Sequence, residues 1–251
     1  MRRQNHRRFL GGPGRPGCRG GRGRSMTALV LQARLESTRL PQKSLLPLGG
    51  RPLILRVMEA LNGVNCEVKV LACPESCVSA FAPLAAEAGF EILPGPGEDV
   101  LARYCLAARR FKPDRIVRAT GDNPFVLIDA AEAIRVESEA LGADYAVYSC
   151  IPHGSGVQCV SAEALLRAER EAPTCFEREH VCPYLYNHPE LFRLHLPLAP
   201  LCWQGAELNV TVDTPEDYEY AKALYRFLST LPLEERSRGA AIIAAARRLS
   251  G

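Results

Sequence analysis

Short apolar runs separated by stretches of helical periodicity recur from Thr27 onward, and that alternation constrains the fold more than any other feature of the chain. Parallel strands need crossovers long enough to hold a helix, so the pattern predicts an α/β domain around a mostly parallel sheet. Thr27–Gln32 (T-A-L-V-L-Q) reads as the first strand, followed by a polar loop, and Pro52 is placed at the start of the first helix. Glu67–Ala72 reads as a second strand, Ser76–Ala88 as a helix and Glu91–Leu93 as a short strand ending in P-G-P-G. Asp99–Phe111 reads as a helix, and Asp114–Pro124 as a buried strand that stops at Thr120–Asp122, with Pro124 ending its ladder. A helix over Leu127–Leu141 follows.

Beyond Tyr145 the alternation loosens, with strands expected at V-Q-C-V (157–160) and Leu191–Leu196 and a helix at Ala162–Glu171. Residues 145–207 are therefore expected to form a smaller substrate or dimerisation lobe within a domain spanning 26–251. Leu208–Asp213 (L-N-V-T-V-D) reads as a strong last strand, with Thr214 as the cap of a helix that opens at Pro215. A second C-terminal helix closes the chain, and no internal repeat is present.

The first 24 residues contain eight Arg and no Asp or Glu, so the formal charge of +3 hides a slightly acidic body. Arg, Gly and Pro dominate residues 1–25, which cannot bury enough apolar surface to offset chain entropy and are expected to be a disordered basic extension. An RGG-like arm for nucleic acid is one reading. The other, adopted here, is an over-long start ahead of Met26, so no nucleic-acid partner is expected. No apolar run approaches the roughly 20 residues of a membrane span, and the extension lacks a signal-peptide core, which predicts a cytoplasmic protein without membrane contact. The ten Cys form no C-x-x-C pair and several lie inside apolar patterns, which fits free buried thiols better than disulfides or zinc.

Three features carry chemistry, and each falls at the carboxyl end of an expected strand, where open α/β sheets bind ligands. Gln32–Lys43 (Q-A-R-L-E-S-T-R-L-P-Q-K) sets Arg34, Arg39 and Lys43 beside the hydroxyls of Ser37 and Thr38. By composition it reads equally as a polyphosphate cradle or as a solvated basic loop. T-G-D-N-P (120–124) and T-V-D-T-P-E-D (211–217) each end a strand in an Asp. One such Asp is usually a helix cap, whereas two beside a cationic loop make an oxygen-ligand site for Mg2+ bridging phosphates. Glu216 and Asp217 are read as first-turn acids complementing a helix dipole.

The motifs occur in a fixed order: Q-A-R-x-x-S-T-R-L-P-x-K-x-L-x-x-L-G-G-x-P-L-I, E-D-V-L-x-R-Y, T-G-D-x-P, R-E-H-V-x-P-Y-x-Y-N-H-P-E and T-V-D-T-P-E-D-Y. Over about Thr27 to Tyr225 this resembles the cytidylyltransferase family of spore coat polysaccharide biosynthesis protein F, related to the acylneuraminate and 3-deoxy-manno-octulosonate cytidylyltransferases. The resemblance implies a GT-A-like, Rossmann-like α/β fold and Mg2+-dependent transfer of CMP from CTP to an acidic sugar, with release of pyrophosphate, for surface glycan or glycoprotein synthesis. It implies that Gln32, Ala33, Arg34, Ser37, Thr38, Arg39 and Lys43 form the triphosphate loop, with Arg34 and Lys43 catalytic. Asp122 and Asp213 match the two catalytic, metal-binding acids, and Asp99 and Arg103 match a segment on the nucleotide side.

The chain departs from the resemblance at G-S-G-V-Q-C-V (154–160), where Gln158 stands for a common Glu and Gly156 for a common Asp, in a region expected to face the acceptor. Asn209 replaces a common Arg, and with Gln158 it is assigned to substrate binding. His180 in R-E-H-V is read as structural. A glycosyltransferase on the same fold is the competing enzyme, disfavoured because the chain has no D-x-D. A non-catalytic nucleotide-binding protein is the third reading, and retention of the whole cationic loop argues against it. Tyr184, Tyr186, Phe192 and Trp203 are apolar enough to line a homodimer interface or, equally, to be ordinary core.

Overall fold

The computed structural model describes residues 25–232 and 234–250, so the basic extension lies almost entirely outside the described residues. Seven strands form one sheet. They are β1 (Thr27–Gln32), β4 (Val68–Pro74), β5 (Glu91–Gly95), β6 (Arg115–Thr120), β7 (Tyr145–Ala146), β8 (Gln158–Ser161) and β9 (Leu194–His195). A two-stranded hairpin, β2 (Pro47–Leu48) with β3 (Arg51–Pro52), stands apart. The sheet order is β5-β4-β1-β6-β8-β7-β9, with β8 antiparallel to both its neighbours and the other pairs parallel. The sheet is mostly parallel, as the alternation predicts.

Helices cover both faces. α1 (Leu53–Leu61), α2 (Val78–Ala88), α4 (Ile128–Leu141), α8 (Pro215–Leu228) and α9 (Gly239–Ser250) contribute to one core with Leu29, Leu31, Val117 and Ala119. α3 (Val100–Phe111), α5 (Ala162–Glu171) and α7 (Pro183–Tyr186) contribute to the other with Ala28, Val30 and Ile116, and α6 (Cys175–His180) lies beside α3. The odd and even residues of β1 thus supply opposite cores, which is why this strand is apolar throughout instead of alternating.

Most boundaries fall within two residues of expectation, and the exceptions have physical reasons. Pro52 is the residue before α1, not its first residue. Residues 145–207 add their strands to the same sheet as β1, and α5 packs on α3. The strand expected at 191–196 shrinks to Leu194–His195, paired only to the equally short β7. Leu208–Asp213 does not form a laddered strand. It crosses from one loop to another, with the Val210 N–H donating to His153 O and the Val212 N–H to Asp122 O, both at 2.9 Å. Alternating V-T-V predicts a strand, but each bond here has a different partner segment.

Of the aromatics considered for an interface, Tyr184 and Phe192 are buried in their own chain and touch edge to face at 5.9 Å. Trp203 packs against the Tyr148 ring and donates Nε1–H to Asp129 at 3.0 Å. Only Tyr186 is exposed. The apolar side chains left open include Leu196, Leu198 and Leu201, just beyond β9. All described cysteines are free thiols, and among the described residues no helix is long and apolar enough to cross a membrane.

Candidate active site

The carboxyl ends of β1 and β6 open into a polar cleft of about 320 Å³. β1 delivers Gln32 and Ala33 to it, and the loop that follows wraps round so that Arg34, Ser37, Thr38, Arg39 and Lys43 all line it. The loop is held internally: the Leu40 N–H donates to Ser37 Oγ at 3.4 Å, and Ser44 Oγ–H to Arg34 O at 3.1 Å. Gln42 turns the chain through a left-handed conformation (φ 52°) into the short 3₁₀ turn that begins at Lys43. At the opposite wall Gly121 donates its N–H to Gln32 O at 2.8 Å. A β-carbon on Gly121 would lie 2.7 Å from Ile54 Cδ1 and 2.8 Å from Ala33 Cβ, so the close approach of these two strand ends requires glycine.

Lys43 is the hub of the cleft. Its ammonium donates to Asp122 Oδ2 at 2.9 Å, Asp213 Oδ1 at 2.7 Å and Val212 O at 2.9 Å, which uses all three of its protons. Arg39 Nη2 lies 3.1 Å from the other Asp213 oxygen. Burial alone would raise the Asp213 pKa, but the Lys43 bond and charge, with Arg39, outweigh it and hold this carboxyl below its ordinary value of 3.8.

Backbone bonds fix both acids. The Val212 N–H reaches Asp122 O, tying the two loops together, and Asp217 Oδ2 accepts from the N–H groups of Asp213 (3.0 Å) and Thr214 (2.9 Å). Thr214 and Asp217 form a reciprocal cap on α8 with Pro215 as its first residue. Asp217 therefore does more than complement the helix dipole, because it also orients the backbone that carries Asp213.

Three oxygens, from Asp122, Asp213 and Val212, converge on the point where the Lys43 ammonium sits. They are hard donors of the kind a divalent cation prefers, so the residues fit a Mg2+ ion. Among the described residues no group of three or more His, Cys, Asp or Glu forms a complete metal cage. Mg2+ bound by two carboxylates together with substrate phosphates does not need one.

The residues of E-D-V-L-A-R-Y fall elsewhere. Asp99 caps α3 by accepting from the Ala102 N–H at 2.9 Å, and its other oxygen meets Arg178 Nε at 2.7 Å. It lines a neighbouring cavity of about 340 Å³ that Arg34, Arg178 and Glu179 share. Arg103 lines neither cavity: it is fully buried and donates to the carbonyls of Pro96 and Gly97, propping the P-G-P-G turn from beneath. Burial lowers its pKa. His180 is outside the cleft with its ring 4.4 Å from that of Phe176.

A further cavity of about 330 Å³ adjoins the Asp122 side of the sheet end and contains Gln158. Asn209 does not line it; that side chain is exposed and accepts from the Thr211 N–H at 3.3 Å. Gly154 (φ 82°) brings the loop so near Thr211 that a β-carbon would sit 2.6 Å from its nitrogen. Arg118, which the sequence reading passed over, lies in this cavity with Gln158. The signal for it was available: a cation inside R-I-V-R-A-T, a strand otherwise fit for burial.

A Rossmann-like sheet with a cationic loop and two acids, Asp122 after β6 and Asp213 on the unladdered segment beside it, at one end of the sheet is the architecture of a nucleotidyltransferase. A family model of cytidylyltransferases matches residues 28–240. The chain is 32% identical over 204 residues to the spore coat polysaccharide biosynthesis protein SpsF of Bacillus subtilis (strain 168), covering 78% of this chain and 85% of that one. It is 28% identical over 239 residues to the 3-deoxy-manno-octulosonate cytidylyltransferase of Anaeromyxobacter dehalogenans (strain 2CP-C), covering 78% and 96%. Among solved structures, a cytidylyltransferase from Leptospira borgpetersenii serovar Hardjo-bovis superposes with a TM-score of 0.80 at 24% identity, covering 90% of this chain and 96% of that one. The chain belongs to the cytidylyltransferase family, and it is a nucleotidyltransferase enzyme.

Proposed function

We propose that this enzyme transfers CMP from CTP to a hydroxyl of an acidic sugar, releasing pyrophosphate, in the cytoplasmic synthesis of a surface glycan or glycoprotein. The observation that carries the reading is the Lys43 ammonium held between Asp122 and Asp213 at the mouth of a loop that offers two further guanidinium groups. The sugar hydroxyl attacks the α-phosphorus, the bond to the β-phosphate breaks, and the leaving pyrophosphate takes the electron pair while the hydroxyl proton is released to solvent. Arg34, Arg39 and Lys43 supply fixed positive charge where the leaving group develops its own, and the hydroxyls of Ser37 and Thr38 with nearby backbone N–H groups orient the phosphates. Asp122 and Asp213 would hold a Mg2+ ion, which when bound neutralises phosphate charge as a Lewis acid. No nucleophilic side chain is needed, because the sugar hydroxyl is itself the nucleophile.

Support for the acidic acceptor comes from the net positive wall on the Arg118 side of the cleft, and for a homodimer from the open leucines beyond β9. The test is thermal unfolding with CTP, UTP, ATP and GTP, with and without Mg2+, followed by pyrophosphate release with sugar acids. A nucleotide at about 100 times its dissociation constant stabilises by about 2.7 kcal/mol. Stabilisation by CTP alone and only with Mg2+ is the expected result, and an equal response to all four triphosphates would defeat the reading.

A further inference from the structure

Arg118 is a cation at a cavity wall with no carboxylate in contact among the described residues. Its guanidinium lies over the Tyr104 ring, 5.5 Å from the centroid, and Nη1 donates to Gln158 Oε1 at 2.7 Å. Nε is buried and has no partner. Among the described residues no carboxylate comes within the 4 Å of an ion pair with it. Of the titratable groups around it, Asp122 acts on it only through its charge at a distance, and the others are neutral: burial pushes the Cys182 thiol up to about 11 and the Tyr104 hydroxyl up to about 12, and raises Tyr145 further. A half-buried guanidinium with no contacting anion and a partnerless Nε is under-compensated, and such groups are ordinarily paired.

Its one side-chain acceptor is itself fixed. Gln158 Nε2 donates to Tyr145 Oη at 2.9 Å, which sets the amide with its oxygen toward Arg118, and the Cys182 thiol donates to the same oxygen at 3.3 Å. Gln158 thus steadies the guanidinium without neutralising it. Arg118 and Gln158 share the 330 Å³ cavity with His153 and Asn123, a volume suited to a monosaccharide. Arg118 precedes Asp122 by four residues, so at about 3.3 Å per residue the two lie within roughly 13 Å, the span of one sugar.

We propose that Arg118 is the specificity-determining residue for the acceptor, its guanidinium receiving the carboxylate of the sugar, and that a neutral residue at 158 is what keeps that charge available. The inference rests on the reading of the neighbouring cleft as the CTP site. A glutamate at 158 would place a carboxylate against Arg118 and weaken its hold on a second anion.

The experiment measures direct binding, without nucleotide, of 3-deoxy-manno-octulosonate and N-acetylneuraminate, each against its uncharged carboxyl methyl ester. CTP affinity is measured separately on the same proteins. Wild type is expected to prefer the acid of one of these probes over its ester by about tenfold or more. Q158E is expected to lose that preference with CTP affinity within about twofold of wild type, and R118M to lose it while R118K keeps part. Should R118M fail to fold, Q158E alone decides. No acid preference in wild type for either probe, an undiminished preference in Q158E, or loss of CTP affinity in parallel with loss of acid preference would each overturn the assignment. A wild type that prefers the acid but ignores CTP would refute the proposed function instead, and leave Arg118 as an anion subsite.

Discussion

The two halves of the sheet handle charge in opposite ways. Around β1, β4 and β6 the cations of the cleft already have internal partners: Lys43 sits between two carboxylates and Arg39 pairs with one of them. Across β6, toward β8, Arg118 has an amide and an aromatic face in contact and Asp122 acting on it only at a distance. A self-neutralised site is stable when empty and can exchange partners as phosphates and a cation arrive together. An unneutralised one pays for its charge until a complementary anion fills it. The contrast divides general nucleotide chemistry from acceptor choice.

The sharpest way to break the comparison is to remove one acid of the pair. Asp122→Asn and Asp213→Asn preserve shape and a hydrogen-bond acceptor for Lys43, yet each should lower turnover by roughly 10²–10³-fold. Thermal stability should change little by comparison. Turnover near wild type in either variant, measured as pyrophosphate release, would remove the acids from the chemistry.

Lys43→Met asks whether the ammonium and a divalent cation compete for one place. It leaves two carboxylates facing one another with Arg39, on Asp213, as their remaining counter-charge, a loss of about 1–3 kcal/mol. Millimolar Mg2+ should restore much of that stability in Lys43→Met while affecting the wild type less. If both proteins respond equally to Mg2+ in thermal unfolding, the converging oxygens are not a cation site.

A smaller effect separates the halves by their tolerance of added volume. On the nucleotide side, Gly121→Ala would drive a methyl into Ala33 Cβ and the Ile54 side chain, displacing the start of the phosphate loop. The expected cost is about 1–3 kcal/mol with weaker CTP binding. On the acceptor side, a β-carbon on Gly156 meets the tip of the Ile151 side chain at 2.4 Å and little else, and a flexible tip can move. Gly156→Ala should therefore cost less than Gly121→Ala and alter sugar binding more than CTP binding. Chemical denaturation and CTP titration of the two variants check this.

What was legible in the sequence follows the same division. β1, α3 and α5 were readable because their apolar periods match their burial, and the Thr214–Pro215 start of α8 because capping chemistry is local. The Gln32–Lys43 loop was readable as a cationic segment after a strand, and all its candidate residues line one cleft. The acceptor side depends on long-range placement. Leu208–Asp213 alternates like a strand, but the loops it bridges are set by Gly154 and Asp122, far away in sequence. Arg103 and Arg118 look alike in sequence. One is enclosed beneath the P-G-P-G turn with its Nη1 on backbone carbonyls and the other lines an open cavity, and only packing separates them.

The smallest effect concerns pH, and it isolates the Lys43–Asp213 contact from the rest of the cleft. Asp213 titrates below 3.8 in the folded protein because of Lys43 and Arg39, so its contribution to stability is fully present above that value and is lost as pH falls through the lower, folded one. In Lys43→Met the principal cause of the lowering is gone, and Arg39 alone remains opposite the carboxyl. The variant should thus be less stable than wild type at neutral pH, and the gap should narrow as pH drops below about 4, where a protonated Asp213 needs no counter-charge. Melting temperatures of the two proteins from pH 7 to pH 3 measure the gap. A gap that stays constant across that range would mean that Lys43 stabilises the fold by packing its methylenes, and that the charges at this end of the sheet are as weakly coupled to the fold as any surface pair.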